Sequence, residues 1–398
     1  RETALMTKGI FNFMVSSMPH LTALTLENCF GNMKARDRVE LLEAIIEFIR
    51  RRSQQLKKLN LLNTQTDDLF LEKLSDIDTL SLDELRLSFN GVISLLSNKK
   101  CGVLDLFKRQ KNLTILDLMD SKNLSNNCLM EICKSMANLK VLILKRCWLI
   151  NDVGLSEIKK LQKLEVLDIT SCDRCTDLGL LEGLTTRKNN FHMKELYLGL
   201  LPYMSILAVY RLSQQYDELS VLDLSGSSNS VTDEALQMIF RYQLKLTHLN
   251  LDCCAKISDF GITGFSEEQS EKNYFPAYCP YTLNNLKNLN YINLSGCYQI
   301  SDKSFQKVFD LPELKEINLS RCHNITEEGI RLLCQKCPFI EIMDLSEILN
   351  VKDSTVEMLS RIATRVEVFK FNGCSDITDS ILPDLAYNSK YLKVCTYN

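Results

Sequence analysis

The sequence predicts an α/β solenoid, a stack of short parallel strands and helices rather than one packed core. Three observations predict it: a leucine pattern recurs along the chain, its common step is 25 or 26 residues, and each copy passes from alternating to helical apolar spacing. The fourteen copies start at Leu21, Leu56, Leu82, Leu113, Leu139, Leu164, Met193, Leu219, Leu246, Leu289, Leu314, Ile340, Val366 and Leu392.

The parts of one copy follow in order from LKEINLSRCHNITEEGI, residues 314–330. Apolar residues at its fourth and sixth positions point inward from a short strand, and the residues between them point out. A turn follows, then Ile or Val, then Ser or Thr, then usually an acid, as in Ile257-Ser258-Asp259, Ile300-Ser301-Asp302, Ile325-Thr326-Glu327 and Ile377-Thr378-Asp379. The hydroxyl accepts from free N–H groups at a helix start, and the acid suits the positive end of the helix dipole. A helical stretch then returns the chain, with Pro312 and Pro338 near two of the returns. Each unit has an apolar side that only its neighbours cover, so the units stack. Strands sit about 4.8 Å apart and helices are wider, so the stack curves. The expected product is a leucine-rich-repeat horseshoe with a parallel sheet on its concave face and helices on its convex face. Residues 1–20 read as the end of a preceding, truncated repeat. Residues 21–398 read as about thirteen full repeats plus a truncated last strand, with an insertion at about 264–285.

Composition narrows the class. The 398 residues are 45% hydrophobic and 24% charged with net charge −3, which gives no pull toward nucleic acid or acidic membranes. No apolar run approaches the ~20 residues of a membrane helix, and no segment has signal-peptide layout. Of five glycosylation sequons, Asn293 and Asn318 fall within expected strands, a poor place for a glycan. The sixteen cysteines are therefore read as reduced thiols of a cytoplasmic protein. Arg50-Arg51-Arg52 ends the apolar-periodic stretch from Val39, where cations suit a helix C-terminus; a nuclear address is the other reading.

Six copies carry cysteine at the ninth position and a closely similar continuation, those from Leu139, Leu164, Leu246, Leu289, Leu314 and Val366; in the last four it reads Ile, Ser or Thr, and an acid. This pattern resembles the cysteine-containing leucine-rich repeat of F-box/leucine-rich-repeat proteins. The resemblance implies a substrate receptor of an SCF-type ubiquitin ligase that presents targets for degradation and uses an F-box to engage the adaptor and cullin. Nothing in the chain matches the Leu-Pro start of an F-box. Because the sequence begins at Arg1, the F-box is expected upstream; the alternative is an F-box-less regulatory adaptor.

Chemistry-bearing residues read as structural. The ninth-position cysteines Cys29, Cys147, Cys172, Cys254, Cys297, Cys322 and Cys374 alternate with Thr64, Asn90, Ser121 and Ser227, so the place wants a small buried residue. The pairs Cys172/Cys175 and Cys334/Cys337 lie six repeats apart, too far to share a zinc ion, and the four histidines are scattered. No phosphate loop, zincin or nucleophile-elbow motif occurs. The chain is expected to be no enzyme, with no catalytic residue, metal or cofactor.

Binding is expected on the inner face and the insertion. Outward strand residues include Asp117, Asp168, Tyr197, Asp223, Asn250, Asn293, Asn318, Asp344 and Lys370, flanked by Glu195, His248, Asp252, Tyr291 and Glu316. Acids and amides there suit a target protein bearing Lys or Arg, although Asp or Asn at the fifth position is also a common feature of the repeat. The lack of a Lys/Arg cluster argues against an inositol-phosphate-holding hormone receptor. The insertion offers Tyr274, Phe275, Tyr278 and Tyr281, stiffened by Pro276 and Pro280, as anchors; the other reading has them tucked onto neighbouring helices.

Overall fold

The computed structural model describes residues 6–30, 33–66, 68–89, 102–185, 192–265 and 281–397. The chain divides into two compact units, Arg1–Met193 and Lys194–Asn398. In the first unit the strands are β1 (Ala23–Thr25), β2 (Lys58–Thr66), β3 (Glu84–Phe89), β4 (Ile115–Asp117), β5 (Val141–Ile143) and β6 (Val166–Asp168). Each pairs in parallel with the next. The second unit holds β7 (Glu195–Tyr197), β8 (Val221–Asp223), β9 (His248–Asn250), β10 (Tyr291–Asn293), β11 (Glu316–Asn318), β12 (Ile342–Asp344), β13 (Val368–Lys370) and β14 (Val394–Thr396), again parallel in sequence order. Every strand falls inside one of the fourteen leucine copies, and each unit is a leucine-rich-repeat stack with one helix-free sheet face.

The apolar ladder forms the core. In the copy from Leu164, Leu164, Leu167 and Ile169 are fully buried, while Val166 and Asp168 between them are half-exposed. Three polar devices hold one repeat to the next. The first is the cysteine row: Cys147, Cys172, Cys254, Cys297, Cys322 and Cys374 donate to the sixth-position carbonyl of the preceding repeat at 3.1–3.3 Å. Ser227 makes the same bond to Leu198 at 3.5 Å. Burial pushes the Cys322 and Cys254 thiols up to about 12. Cys29 departs from the row. It is half-exposed and donates to Glu27 of its own repeat, because β1 has no strand on its other side among the described residues.

The second device is the helix-start acid. Asp302 accepts from the backbone N–H and hydroxyl of Thr326 at 2.9 and 2.6 Å, and Asp152, Asp233, Asp259 and Asp353 do the same for Thr176, Ser258, Ser301 and Thr378. The acid thus links repeats as well as complementing a dipole. It also explains a glycine: a Cβ on Gly329 would stand 2.1 Å from Asp302 Oδ1. The third device lies at the eighth position, where the chain turns left-handed and the backbone N–H donates to the next repeat, as from Arg146 to Thr170, Cys253 to Ser295, Gly296 to Ser320 and Arg321 to Ser346 at 2.7–3.0 Å.

The long repeat keeps this frame. β9 and β10 pair in register, and Ser301 reaches back to Asp259 across the extra sequence. Residues 266–280, with Tyr274, Phe275 and Tyr278, lie outside the described residues. Tyr281 is described: its ring lies 5.3 Å beneath Arg241, on the helix Asp233–Tyr242 of the neighbouring repeat.

Candidate partner-binding site

The open sheet face of the second unit carries two rows of side chains set by strand register. Third positions run Glu195, Val221, His248, Tyr291, Glu316 across β7 to β11. Fifth positions run Tyr197, Asp223, Asn250, Asn293, Asn318, then Asp344 on β12. A depression of about 560 Å³ opens here, lined by Glu195, Tyr197, Val221, Asp223, His248, Asn250, Tyr291 and Glu316 among others. It gathers seven of the residues expected from sequence to meet a partner.

The fifth-position residues have a structural duty first. The side-chain Oδ1 of Asp168, Asp223, Asn250, Asn293, Asn318 and Asp344 accepts from the backbone N–H two residues on, at 2.8–3.1 Å, closing the turn after each strand. Asn293 and Asn318 end their strands rather than sitting mid-strand. Asn293 is only 9% exposed, which removes it from a contact surface. Asp117, also expected to face out, is buried, and its Oδ1 closes the turn onto Met119; burial pushes its carboxyl up. At Asp344 the remaining oxygen lies 3.6 Å from Lys370. Asp252 is half-exposed beside the exposed Cys253, whose thiol donates to it at 3.4 Å; it is not among the side chains that line the depression.

What remains available is the third-position row. Tyr197 donates to Glu195 at 2.8 Å, and Asn250 donates to the second oxygen of Asp223 at 2.9 Å. The His248 and Tyr291 rings stack at 5.8 Å and 26°. Thr247 Oγ1 lies 2.9 Å from His248 Nδ1 and steadies the ring. Burial, and next the Glu316 carboxylate, push the Tyr291 hydroxyl up from its ordinary value. Among the described residues no Lys or Arg lines the depression, and none forms an ion pair with Glu195, Asp223 or Glu316. The basin is an aromatic floor between carboxylates.

The other candidates resolve into packing. Cys172 donates to Leu144 and Cys175 to Ile150, both buried; Cys337 donates to Phe309 at 2.9 Å as the helix Glu327–Lys336 ends. Arg50 and Arg51 pair with Glu47, and Arg52 donates to the Pro19 carbonyl at 2.6 Å. His323 stacks on Tyr298 at 6.0 Å on the turn side, away from the strand rows. Sequence reading missed the buried glutamines: Gln110 and Gln243 donate to Leu80 and Ser213 of the repeats before them. Their signal was a polar residue at a helix end where neighbouring copies carry an apolar one.

A leucine-rich-repeat family model matches residues 135–159 and 312–334. Among solved structures, the chain is similar to the yeast Rad7 and Elc1 complex, at 20% identity and a TM-score of 0.56, covering 97% of this chain and 91% of that one. It is also similar to an internalin, InlF, of Listeria monocytogenes, at 16% identity and a TM-score of 0.51, covering 95% and 87%. The fold is a leucine-rich-repeat solenoid. Among the described residues no helix is long and apolar enough to cross a membrane.

Proposed function

We propose that this solenoid is a protein-interaction scaffold that serves as the substrate-recognition part of an SCF-type ubiquitin ligase. It holds a target protein on the open sheet face, and the adaptor and cullin engage an F-box that this reading puts outside residues 1–398. The chain contributes no bond-making chemistry; ubiquitin transfer takes place on partner enzymes, and recognition supplies proximity. The observation that carries the binding role is the basin on β7–β11, where carboxylates and stacked aromatics stand without cationic partners among the described residues. The ligase assignment is supported by the cysteine-containing repeat, and Rad7, to which the fold is similar, was crystallised with a protein partner, Elc1.

The test is affinity purification of the full-length protein from cells in which cullin activity is blocked. Co-purification of an SCF adaptor and a cullin is the expected result. A preparation that holds targets but neither of these overturns the ligase reading in favour of an adaptor without ligase partnership.

A further inference from the structure

The basin has a charge pattern that selects among protein partners. Its third-position row begins and ends with an acid, Glu195 on β7 and Glu316 on β11, and its middle is apolar and aromatic: Val221, His248, Tyr291. Asp223 adds a second carboxylate at the β7 end, one strand over and two residues on, opposite Tyr197. Four strand intervals separate the two glutamates, ~19 Å at a spacing of about 4.8 Å. An extended peptide covers that distance in about six residues at ~3.3 Å each.

We propose that the basin binds an extended peptide segment with two arginines about six residues apart, laid across the strands. One guanidinium meets Glu195 and Asp223, the other meets Glu316, and the residues between them rest on the His248–Tyr291 stack. This specifies the partner class for the recognition role above and rests on that reading.

Three features of the geometry favour this occupant. First, the carboxylates at the two ends have no ion-pair partner among the described residues, so a cationic partner gains attraction without first breaking an internal pair. Second, Tyr197 and Asn250 already orient Glu195 and Asp223 by hydrogen bonds at 2.8 and 2.9 Å, so little side-chain freedom is lost on binding. Third, the flat guanidinium both bridges carboxylate oxygens and stacks on aromatic faces, which a lysine ammonium does only as a point charge. Glu316 stands beside Tyr291 in the β10–β11 register, so an arginine there reaches carboxylate and ring together.

The experiment is fluorescence anisotropy on the full chain with a labelled Gly/Ser peptide bearing two arginines about six residues apart. Companion peptides carry glutamine in place of both arginines, lysine in place of both, or two adjacent arginines. The spaced arginine peptide is expected to bind, and each of Glu195→Gln and Glu316→Gln to weaken it about tenfold. Glu84→Gln, which removes an acid from the other unit, is expected to leave binding unchanged. Adjacent arginines and the lysine peptide are expected to bind several-fold more weakly. Equal binding of the glutamine peptide, or unchanged affinity in both basin variants, overturns the site. Equal binding of the two arginine spacings overturns the two-point geometry, and equal binding of lysine overturns the choice of arginine. Equal loss in Glu84→Gln reduces the effect to overall charge and also overturns it. Adaptor recruitment without peptide binding defeats this inference alone; peptide binding without adaptor recruitment defeats the ligase reading alone.

Discussion

On the open face of β2 to β4, Glu84 accepts from Arg86 at 2.6 Å and lies 3.2 Å from Lys58, and Arg86 lies 3.8 Å from Asp117. On the open face of β7 to β11, Glu195, Asp223 and Glu316 occupy the same third and fifth positions, and no cation lines the basin among the described residues. Parallel pairing and an inward leucine ladder are shared by the two faces, although β2 and β3 are longer and their register shifts between Leu61 and Thr66. The difference lies in the side chains at these positions: one face pairs its acids with cations, and on the other Glu195, Asp223 and Glu316 have no ion pair among the described residues.

The comparison implies a common frame, and the largest effects should come from breaking that frame in either unit. Gly329→Ala pushes a Cβ to 2.1 Å from Asp302 Oδ1, and Gly179→Ala pushes one to 2.6 Å from Asp152 Oδ1. Each is expected to lower unfolding free energy in urea by about 1–3 kcal/mol, as overpacking does. A large loss in one unit and none in the other would show that the two frames are not equivalent.

The cysteine row tests the same equivalence through pH. The Cys322 thiol has an ordinary value of 9.0 and is pushed up to about 12 in the fold, so the protonated thiol is favoured there. Its contribution is fully present below pH 9.0 and is lost as pH rises toward about 12, where the unfolded chain has released the proton and the folded one has not. Cys322→Ser keeps a donor, as Ser227 does in its own repeat, and has no such titration. The variant is expected to lose stability less steeply above pH 9, by about 1 kcal/mol per pH unit, in urea melts at stepped pH. Parallel slopes for variant and parent would discount the buried thiol.

A smaller effect belongs to the paired face. Burial raises the Glu84 carboxyl, but hydrogen bonds from Arg86 and Lys58 outweigh it, and the net shift is downward. That stability is present above the ordinary value of 4.5 and lost as pH falls through the folded value. Glu84→Gln is therefore expected to flatten the acid side of the stability curve by no more than about 1 kcal/mol, since the half-buried carboxylate pairs with cations that are themselves more exposed to water. The smallest expected change is in Tyr291→Phe, which keeps the stack on His248 and removes only the hydroxyl; urea stability should shift by no more than about 0.5 kcal/mol. A loss of several kcal/mol would make the basin floor a core element rather than a binding surface.

Much of this was legible in one dimension because a repeat states its pattern many times. The leucine positions marked the fourteen strands of the described residues, and the ninth-position cysteines from Cys147 onward marked the buried row that bonds each repeat to the one before it. The reading went astray where a residue's role depends on the next repeat. Asn293 and Asp117 have the outward alternation of strand residues, yet both are buried, with their oxygens committed to turns. The helix-start acids read as dipole partners, while their closest bonds run to the following repeat. For Tyr281 the sequence left two readings, a projecting anchor or a ring tucked onto a neighbouring helix, and its ring lies against Arg241 on the helix of the preceding repeat.

By itself, then, the sequence determined the repeat, the strand positions and the inward faces, because apolar period and small buried residues are local properties of the chain. Only the tertiary structure decided which polar residues remain free. That depends on distances between side chains a whole repeat apart, as in the 2.6 Å bond from Thr326 to Asp302, and on Glu316 having no ion pair among the described residues. Stacking places Glu195 and Glu316 at the two ends of one aromatic row, and no single repeat contains that arrangement.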